Sequence, residues 1–464
     1  MPGIGASANE RTCALAQLDD APLGAVQIRT FVLCSLVALL DGIDNQSIGV
    51  VAPLMAKDLG LTKTSLGLVF SIAQIGATLG ALGFGPFADR FGRKTATLVA
   101  LSGITIFTYL TALTPSFAGL LLVRFAAGIA LAGAIPCVLA LGSEYAPLRL
   151  RGTVASAIFA GYPLGASIGG VFSAFLLASY DWRWVFYIGA LMPFLTLILL
   201  WFYLPESLRF LLSKGGRADS IKRIAASLGI TIEASEQTAT PVAARRKKVP
   251  ISRLFTNGLL ASTILLWVLY FFCYAMTKIM VVWLPSLLTD IGFDVSDAAL
   301  AQASFNLGCA LGMAVAGHLV DRFGAARALA PALMLGAGSV ALLGVAGQSF
   351  TLVLSAAAGV GLLIGIGGSG AHSIAATLYP TEIRTTGLGW GMASSRLGQV
   401  MSPMLVAALL SVGVAGSDVY FVLAVFPVIA AFAAIGLGVS INRRTRVTER
   451  HMATEQKMQA TAAG

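Results

Sequence analysis

Charge is what this sequence has least of. Only 11% of its 464 residues are Asp, Glu, Lys or Arg, against about a quarter in ordinary soluble domains, which excludes a conventional cytosolic globule. Histidine is scarce as well: His318, His372 and His451 are the whole supply, and they form no metal-ligating constellation. The five cysteines, Cys13, Cys34, Cys137, Cys273 and Cys309, lack paired ligand spacing and read as inert small hydrophobes. No GxxxxGK[ST] loop is present, so there is no nucleotide site of that kind and an enzyme is not expected. The continuous alternation of about ten residues that marks a membrane barrel is missing. A short basic-then-apolar leader is missing too, since the N-terminal segment carries Asp19 and Asp20, so the first apolar run is expected to insert and remain.

What is present is apolar sequence, 57% of the chain, gathered in runs near the ~20 residues that cross a bilayer as helix. Twelve spans are predicted, centred near Leu40, Ile75, Ile104, Ile129, Ile168, Thr196, Val268, Ala310, Gly338, Leu363, Val400 and Ala430. The expected fold is all-α and integral to the membrane, with twelve transmembrane helices in two pseudo-symmetric six-helix halves. Of the 31 Lys and Arg residues, 25 fall on the side that holds both termini, three (Lys57, Lys63, Arg183) on the other, and Arg124, Lys278 and Arg396 within spans. By the positive-inside rule both termini are cytoplasmic. The net charge of +10 thus reflects topology, and no nucleic-acid partner is called for.

A cytoplasmic linker over 205–258 divides an N-terminal half, 28–204, from a C-terminal half, 259–441. Residues 1–27 form a cytoplasmic segment and 442–464 a cytoplasmic tail. Within the linker, Ser207 to Leu228 has helical periodicity and is expected along the membrane surface, whereas Glu233 to Ala244 is small and polar. The halves repeat. Gly85, Asp89, Arg90 and Gly92 recur as Gly317, Asp321, Arg322 and Gly324 at a constant offset of 232. Six spans separate the copies, so both halves share one orientation and can rock about a central site.

Asp41 and Asp44 stand inside the first span, Phe31 to Leu54, where a charged group costs roughly 2.5 to 3.5 kcal/mol on insertion scales and usually marks a functional path. Three residues apart, they share one helix face. Desolvation and mutual repulsion favour holding a proton there. Gly42 between them permits close helix approach or local unwinding. Arg124 and Arg396 lie one in each half, and a guanidinium is the side chain best suited to clasping a carboxylate; one of them is expected to bind an anionic substrate. Arg124 has a competing role in pairing with a first-span aspartate.

Flat surfaces for an aromatic ring are offered by Phe159, Tyr162, Tyr270, Tyr274 and Trp390, although most membrane aromatics pack or anchor. Trp182, Trp184, Trp201 and Trp283 sit where interfacial anchors belong. Lys278 is placed to snorkel towards the outer interface. His372, beside Gly367, Gly368 and Gly370, is either a proton relay or a hydrogen-bonded packing residue.

GPFADRFGRK at Gly85 to Lys94 resembles the loop signature of the major facilitator superfamily, with GHLVDRFGAAR a degenerate second copy. Arg124 with Gly128 and PESLR at Pro205 to Arg209 extend the likeness. More narrowly, DGIDNQSIGVVAP at Asp41 to Pro53, SEYAPLRLRG at Ser143 to Gly152, WLPSLL at Trp283 to Leu288 and YPTEIRTTGLGW at Tyr379 to Trp390 resemble the aromatic acid:proton symporter family. The fourth span departs from the pattern, with Cys137 after Pro136 where members often have asparagine.

The resemblance implies uptake of a benzoate- or hydroxybenzoate-like acid with a proton, across a bacterial inner membrane and without a cofactor. It implies that both first-span aspartates serve coupling, and that Gly85, Asp89, Arg90, Gly92, Arg93, Gly317, Asp321 and Arg322 serve gating. In that family the loop aspartate faces a helix N-terminus and the arginine pairs with an acid ending the fourth span, here Glu144. Arg396, Arg124, Tyr162, Tyr270, Trp390 and His372 are the substrate-binding candidates. Expected partners are the aromatic carboxylate, the proton and the bilayer, with the chain a monomer. The rival functions are a proton antiporter exporting drugs or metabolites and a membrane sensor that binds aromatic acids without carrying them.

Overall fold

The computed structural model describes residues 23–214, 259–379 and 383–441, together with 224, 226, 254 and 255. Among them the regular structure is helical throughout. The first six long helices are α1 (Ala25–Asp58), α2 (Lys63–Phe91), α3 (Arg93–Leu113), α4 (Phe117–Tyr145), α5 (Arg151–Leu177) and α6 (Arg183–Tyr203). After them come α7 (Leu260–Ile291), α8 (Val295–Phe323), α9 (Ala325–Val345), α10 (Phe350–Leu378), α11 (Arg384–Ser411) and α12 (Gly416–Ile441). Eleven are long and apolar enough to cross a membrane. The remaining one, α11, has the length at 28 residues but spends its middle on Ser394, Ser395, Arg396 and Gln399. The polarity that keeps it below that threshold also makes it a candidate lining helix.

Side chains that face outward from this bundle are apolar, with Leu122, Phe175, Phe202 and Val439 all exposed, as hydrocarbon surroundings require. Of the linker, a short helix at Leu208–Lys214 and helical backbone at 224 and 226 are described; the rest of the predicted surface helix, Glu233 to Ala244, the tail 442–464 and Cys13 lie outside the described residues.

Close contacts divide the chain into two compact units, Met1–Arg246 with Val295–Ala303, and Lys247–Asp294 with Ser304–Gly464. Within the first, α1 packs on α5, α2 on α4, and α3 on α4 and α6. Within the second, α7 packs on α11, and α9 on α10 and α12, which repeats the pairing. Glycine sets how closely the helices cross. A Cβ at Gly128 would stand 2.0 Å from the Ala73 carbonyl oxygen, and one at Gly361 would stand 1.9 Å from that of Phe305. At the two loop copies, Gly92 (φ 101°) and Gly324 (φ 81°) end α2 and α8 in backbone conformations that favour glycine.

Candidate functional site

In the first unit, α1, α3 and α4 bring three polar side chains together inside an otherwise apolar interior. Asp44 is 1% exposed and Arg124 2%. One Asp44 oxygen, Oδ1, accepts a hydrogen bond from the Thr108 hydroxyl, while Oδ2 has no hydrogen-bond partner. The Arg124 guanidinium is the charge that acts on Asp44, and Asp44 acts on it in return. Arg124 Nε and Nη1 lack hydrogen-bond partners. A buried guanidinium needs a counter-charge, because desolvating an unmatched ion costs several kcal/mol. Asp44 is the charge that acts on Arg124 here, the competing role that its place in the fourth span allowed.

Asp41 is buried as well. Its neighbour Gly42 serves close approach rather than unwinding: α1 runs unbroken, and a Cβ there would fall 2.0 Å from the Tyr162 carbonyl oxygen of α5. Tyr162 uses its hydroxyl to accept from Asn45 Nδ2, tying α5 to α1 one residue beyond Asp44. Phe159 is half exposed.

The second unit holds no such charge pair at the corresponding positions. Applying the 232-residue offset puts Cys273 and Met276 where Asp41 and Asp44 stand in the first. Its polar centre is His372 of α10, whose Nδ1 lies 2.8 Å from the Tyr270 hydroxyl and whose Nε2 lies 2.8 Å from the Tyr274 hydroxyl. Both tyrosines come from α7, one turn apart, so a single helix face grips both ring nitrogens. Arg396 of α11 is partly buried, and its charge acts on Tyr274. Trp390 stacks on Trp267 with centroids 5.7 Å apart and is itself 39% exposed.

Two placements differ from expectation here. Lys278 does not snorkel: it is 7% exposed, well inside the 32-residue α7. Trp283 is no interfacial anchor, being fully buried with Nε1–H donating to the Pro403 carbonyl of α11 at 3.2 Å. Helix α7 is longer than a membrane crossing needs, so hydropathy places Lys278 and Trp283 nearer its end than they lie. Trp182 is likewise buried, donating to Asp58 Oδ2 at 3.3 Å beneath the Arg183 guanidinium, which also pairs with Asp58 at 2.8 Å. Trp184 and Trp201 are exposed, as anchors are.

At the α2–α3 loop the acids and bases pair differently from the family pattern. Arg93, not Arg90, reaches Glu144, at 3.4 Å, and it holds Asp89 at 3.0 Å as well. Arg90 is exposed and lies over its neighbour Phe91. Gly92 turns the chain between Asp89, at the end of α2, and Arg93, at the start of α3, and so brings the two within reach, whereas Arg90 lies over Phe91. The carboxylate on the N-terminus of α3 is that of Glu206, which accepts from Lys94 N at 3.0 Å and Ser207 N at 2.9 Å, where a helix favours negative charge. Gly92 admits it, since a Cβ there would stand 2.2 Å from Glu206 Oε2. Ser207 completes the cluster, donating its hydroxyl to Glu144. Gly85 is exposed on α2. In the second loop, Asp321 and Arg322 are exposed, Arg322 lies over Phe323, and Asp321 makes no ion pair among the described residues. Gly317 is partly buried. Ala325 occupies the place of Arg93, so this loop lacks the connecting cation.

Two helix bundles of matching internal packing, joined by a linker and each carrying the same loop, agree with the sequence profile of the Major Facilitator Superfamily, which matches residues 34–299 and again 266–459. The chain belongs to the major facilitator superfamily. Among its relatives, the gallate transporter of Pseudomonas putida is 34% identical over 418 residues, covering 90% of this chain and 93% of that one. The 4-hydroxybenzoate transporter PcaK of Acinetobacter baylyi is 35% identical, covering 86% and 88%. The fold is shared with the crystal structure of a bacterial homologue of the human lysosomal transporter Spinster, at a TM-score of 0.71 and 17% identity, over 91% of this chain and 99% of that one.

Membership of the superfamily makes this a multi-pass membrane protein built for transport rather than catalysis. Of the predicted residues, the structure brings Asp44 together with Arg124, Tyr270 with His372, and Asp89 with Arg93 and Glu144. It leaves Arg90, Asp321 and Arg322 outside such pairings. Thr108, Glu206 and Ser207 were not foreseen as participants. PESLR drew attention to Glu206, but only the fold carries it to the α3 N-terminus, and nothing in the sequence distinguishes Thr108 from the other threonines of α3.

Proposed function

We propose that this chain is a proton-coupled secondary transporter that imports aromatic carboxylates by alternating access, lying in a bacterial inner membrane with both termini cytoplasmic. The observation that carries the reading is Asp44: a buried carboxylate with Thr108 on one oxygen, an unpartnered second oxygen, and Arg124 as its charge partner. Such a group has two states. Ionised, it compensates Arg124; protonated, it leaves the guanidinium unmatched, and the helices that carry the two are released to rearrange. Asp41, on the same helix, is the second proton-handling group.

With Arg124 engaged by Asp44, Arg396 is assigned the carboxylate of the substrate, which its planar fork suits. The relatives, named for gallate and 4-hydroxybenzoate, support an aromatic acid as that substrate. The Arg93–Asp89–Glu144 and Glu206 cluster is assigned the cytoplasmic gate, which opens when these contacts part. The proton gradient supplies the driving force, so no cofactor takes part, and a monomer suffices.

The test is uptake of labelled 4-hydroxybenzoate into sealed vesicles under an imposed proton gradient. Import that an uncoupler collapses, with proton influx matched to substrate, is the expected result. Outward movement of substrate against inward protons would favour an exporter, and binding without any flux would favour a sensor.

A further inference from the structure

Among the polar groups that the coupling scheme leaves unused, the Tyr270–His372–Tyr274 chain is the most fully built. Both ring nitrogens of His372 are engaged at 2.8 Å, and a neutral imidazole has one donor and one acceptor. The two tyrosines are therefore not equivalent. The one that donates to the ring has spent its proton, while the one that accepts from the ring keeps its O–H for a third group.

Packing and surface exposure distinguish them. Tyr270 is fully buried, and its ring is packed against Gly391, where a Cβ would stand 2.7 Å away. A fully buried hydroxyl that found no acceptor would be costly, so Tyr270 donates to Nδ1. Nε2–H then donates to the oxygen of Tyr274. Tyr274 is less buried than Tyr270, stands where the charge of Arg396 acts on it, and has its own O–H to offer. It is the reading end of the chain, and Tyr270 the anchored end.

We propose that Tyr270, His372 and Tyr274 form a relay through which Tyr274 donates a hydrogen bond to a hydroxyl on the ring of the bound acid, setting a preference for hydroxylated over unsubstituted aromatic carboxylates. The inference rests on the reading of this chain as an aromatic acid transporter and on Arg396 as the carboxylate partner. An unsubstituted ring presents only C–H to Tyr274 and leaves the oriented donor without an acceptor. Sites built to bond a hydroxyl reject analogues that lack it, and the loss of one neutral hydrogen bond corresponds to a preference of about ten- to hundredfold.

The experiment measures the inhibition constants of 4-hydroxybenzoate and benzoate against labelled-substrate counterflow, using the full-length protein in proteoliposomes. Their ratio is taken within a single preparation, so that partial loss of folded protein cancels. Wild type is expected to favour 4-hydroxybenzoate at least about tenfold. Tyr274→Phe and His372→Leu are expected to bring the ratio close to one. His372→Gln, whose amide both donates and accepts, should retain more of the preference than His372→Leu. A wild-type ratio near one overturns the proposal, as does a set of variants that weaken both acids equally and leave the ratio intact. If neither acid inhibits or is carried by wild type, the transporter reading itself fails, a result distinct from loss of the ratio alone.

Discussion

The two units share a frame and differ in what they hold at its centre. In the first, a buried carboxylate faces a buried guanidinium, with Thr108 the one hydrogen-bond partner of the Asp44 oxygens. In the second, the centre is a chain of neutral donors and acceptors, Tyr270–His372–Tyr274, with both imidazole nitrogens engaged, beside Arg396. The repeat preserves glycine at several of the closest helix crossings, Gly76 and Gly80 in one unit and Gly308 and Gly312 in the other. Side chains at the centre of each unit have diverged. A charge pair with unfilled hydrogen-bond capacity is suited to changing protonation, and an ordered neutral network with one donor left over to recognising shape and hydroxyl pattern.

Asp44→Asn is the sharpest way to break this comparison. With a neutral amide in place of the carboxylate, accumulation against a gradient is expected to vanish while exchange of substrate down its own gradient persists. Normal accumulation by this variant in energised vesicles would remove the distinction between the units. Next in size are Gly128→Val and Gly361→Val, each of which drives a side chain into a carbonyl about 2 Å away. Both should cost several kcal/mol, seen as loss of monodisperse protein in detergent. If only one does, the two frames are not equivalent.

Arg396→Lys comes third. Replacing the bidentate fork with a point charge should weaken binding of an aromatic carboxylate about tenfold, whereas Arg124→Lys should act on coupling more than on affinity; inhibition constants and proton flux separate the two. The smallest effects belong to the loops. Glu144, only 15% exposed, meets Arg93 in a place less screened by solvent than Asp89, 73% exposed. Glu144→Gln should therefore slow transport more than Asp89→Asn, the latter pair contributing about 0 to 1 kcal/mol. Asp321→Asn in the second loop should change the rate less than either.

The frame was legible because it repeats: one offset of 232 carries Gly85 and Asp89 onto Gly317 and Asp321, and Gly76 and Gly80 onto Gly308 and Gly312, two pairs that pack in the same way. The buried aspartates and arginines were legible because charge is so rare in apolar runs. Partner choice was less so. Arg90 and Arg93 look alike in sequence, and the turn at Gly92 between α2 and α3 is what gives Asp89 and Glu144 to Arg93. Hydropathy puts the end of the seventh span near Lys278 and Trp283, whereas α7 extends past them, to Ile291.

By itself, the sequence determined that the chain crosses a membrane many times in two like halves, because hydropathy, glycine placement and basic-residue asymmetry are local properties that need no neighbour to be read. Tertiary structure alone decided that Arg124 answers Asp44, that Glu206 rather than Asp89 sits on the α3 N-terminus, and that His372 is held by two tyrosines. Each of those facts joins residues 98 or more positions apart in the chain, or charges on different helices, and only packing fixes which of several chemically suitable partners comes within reach.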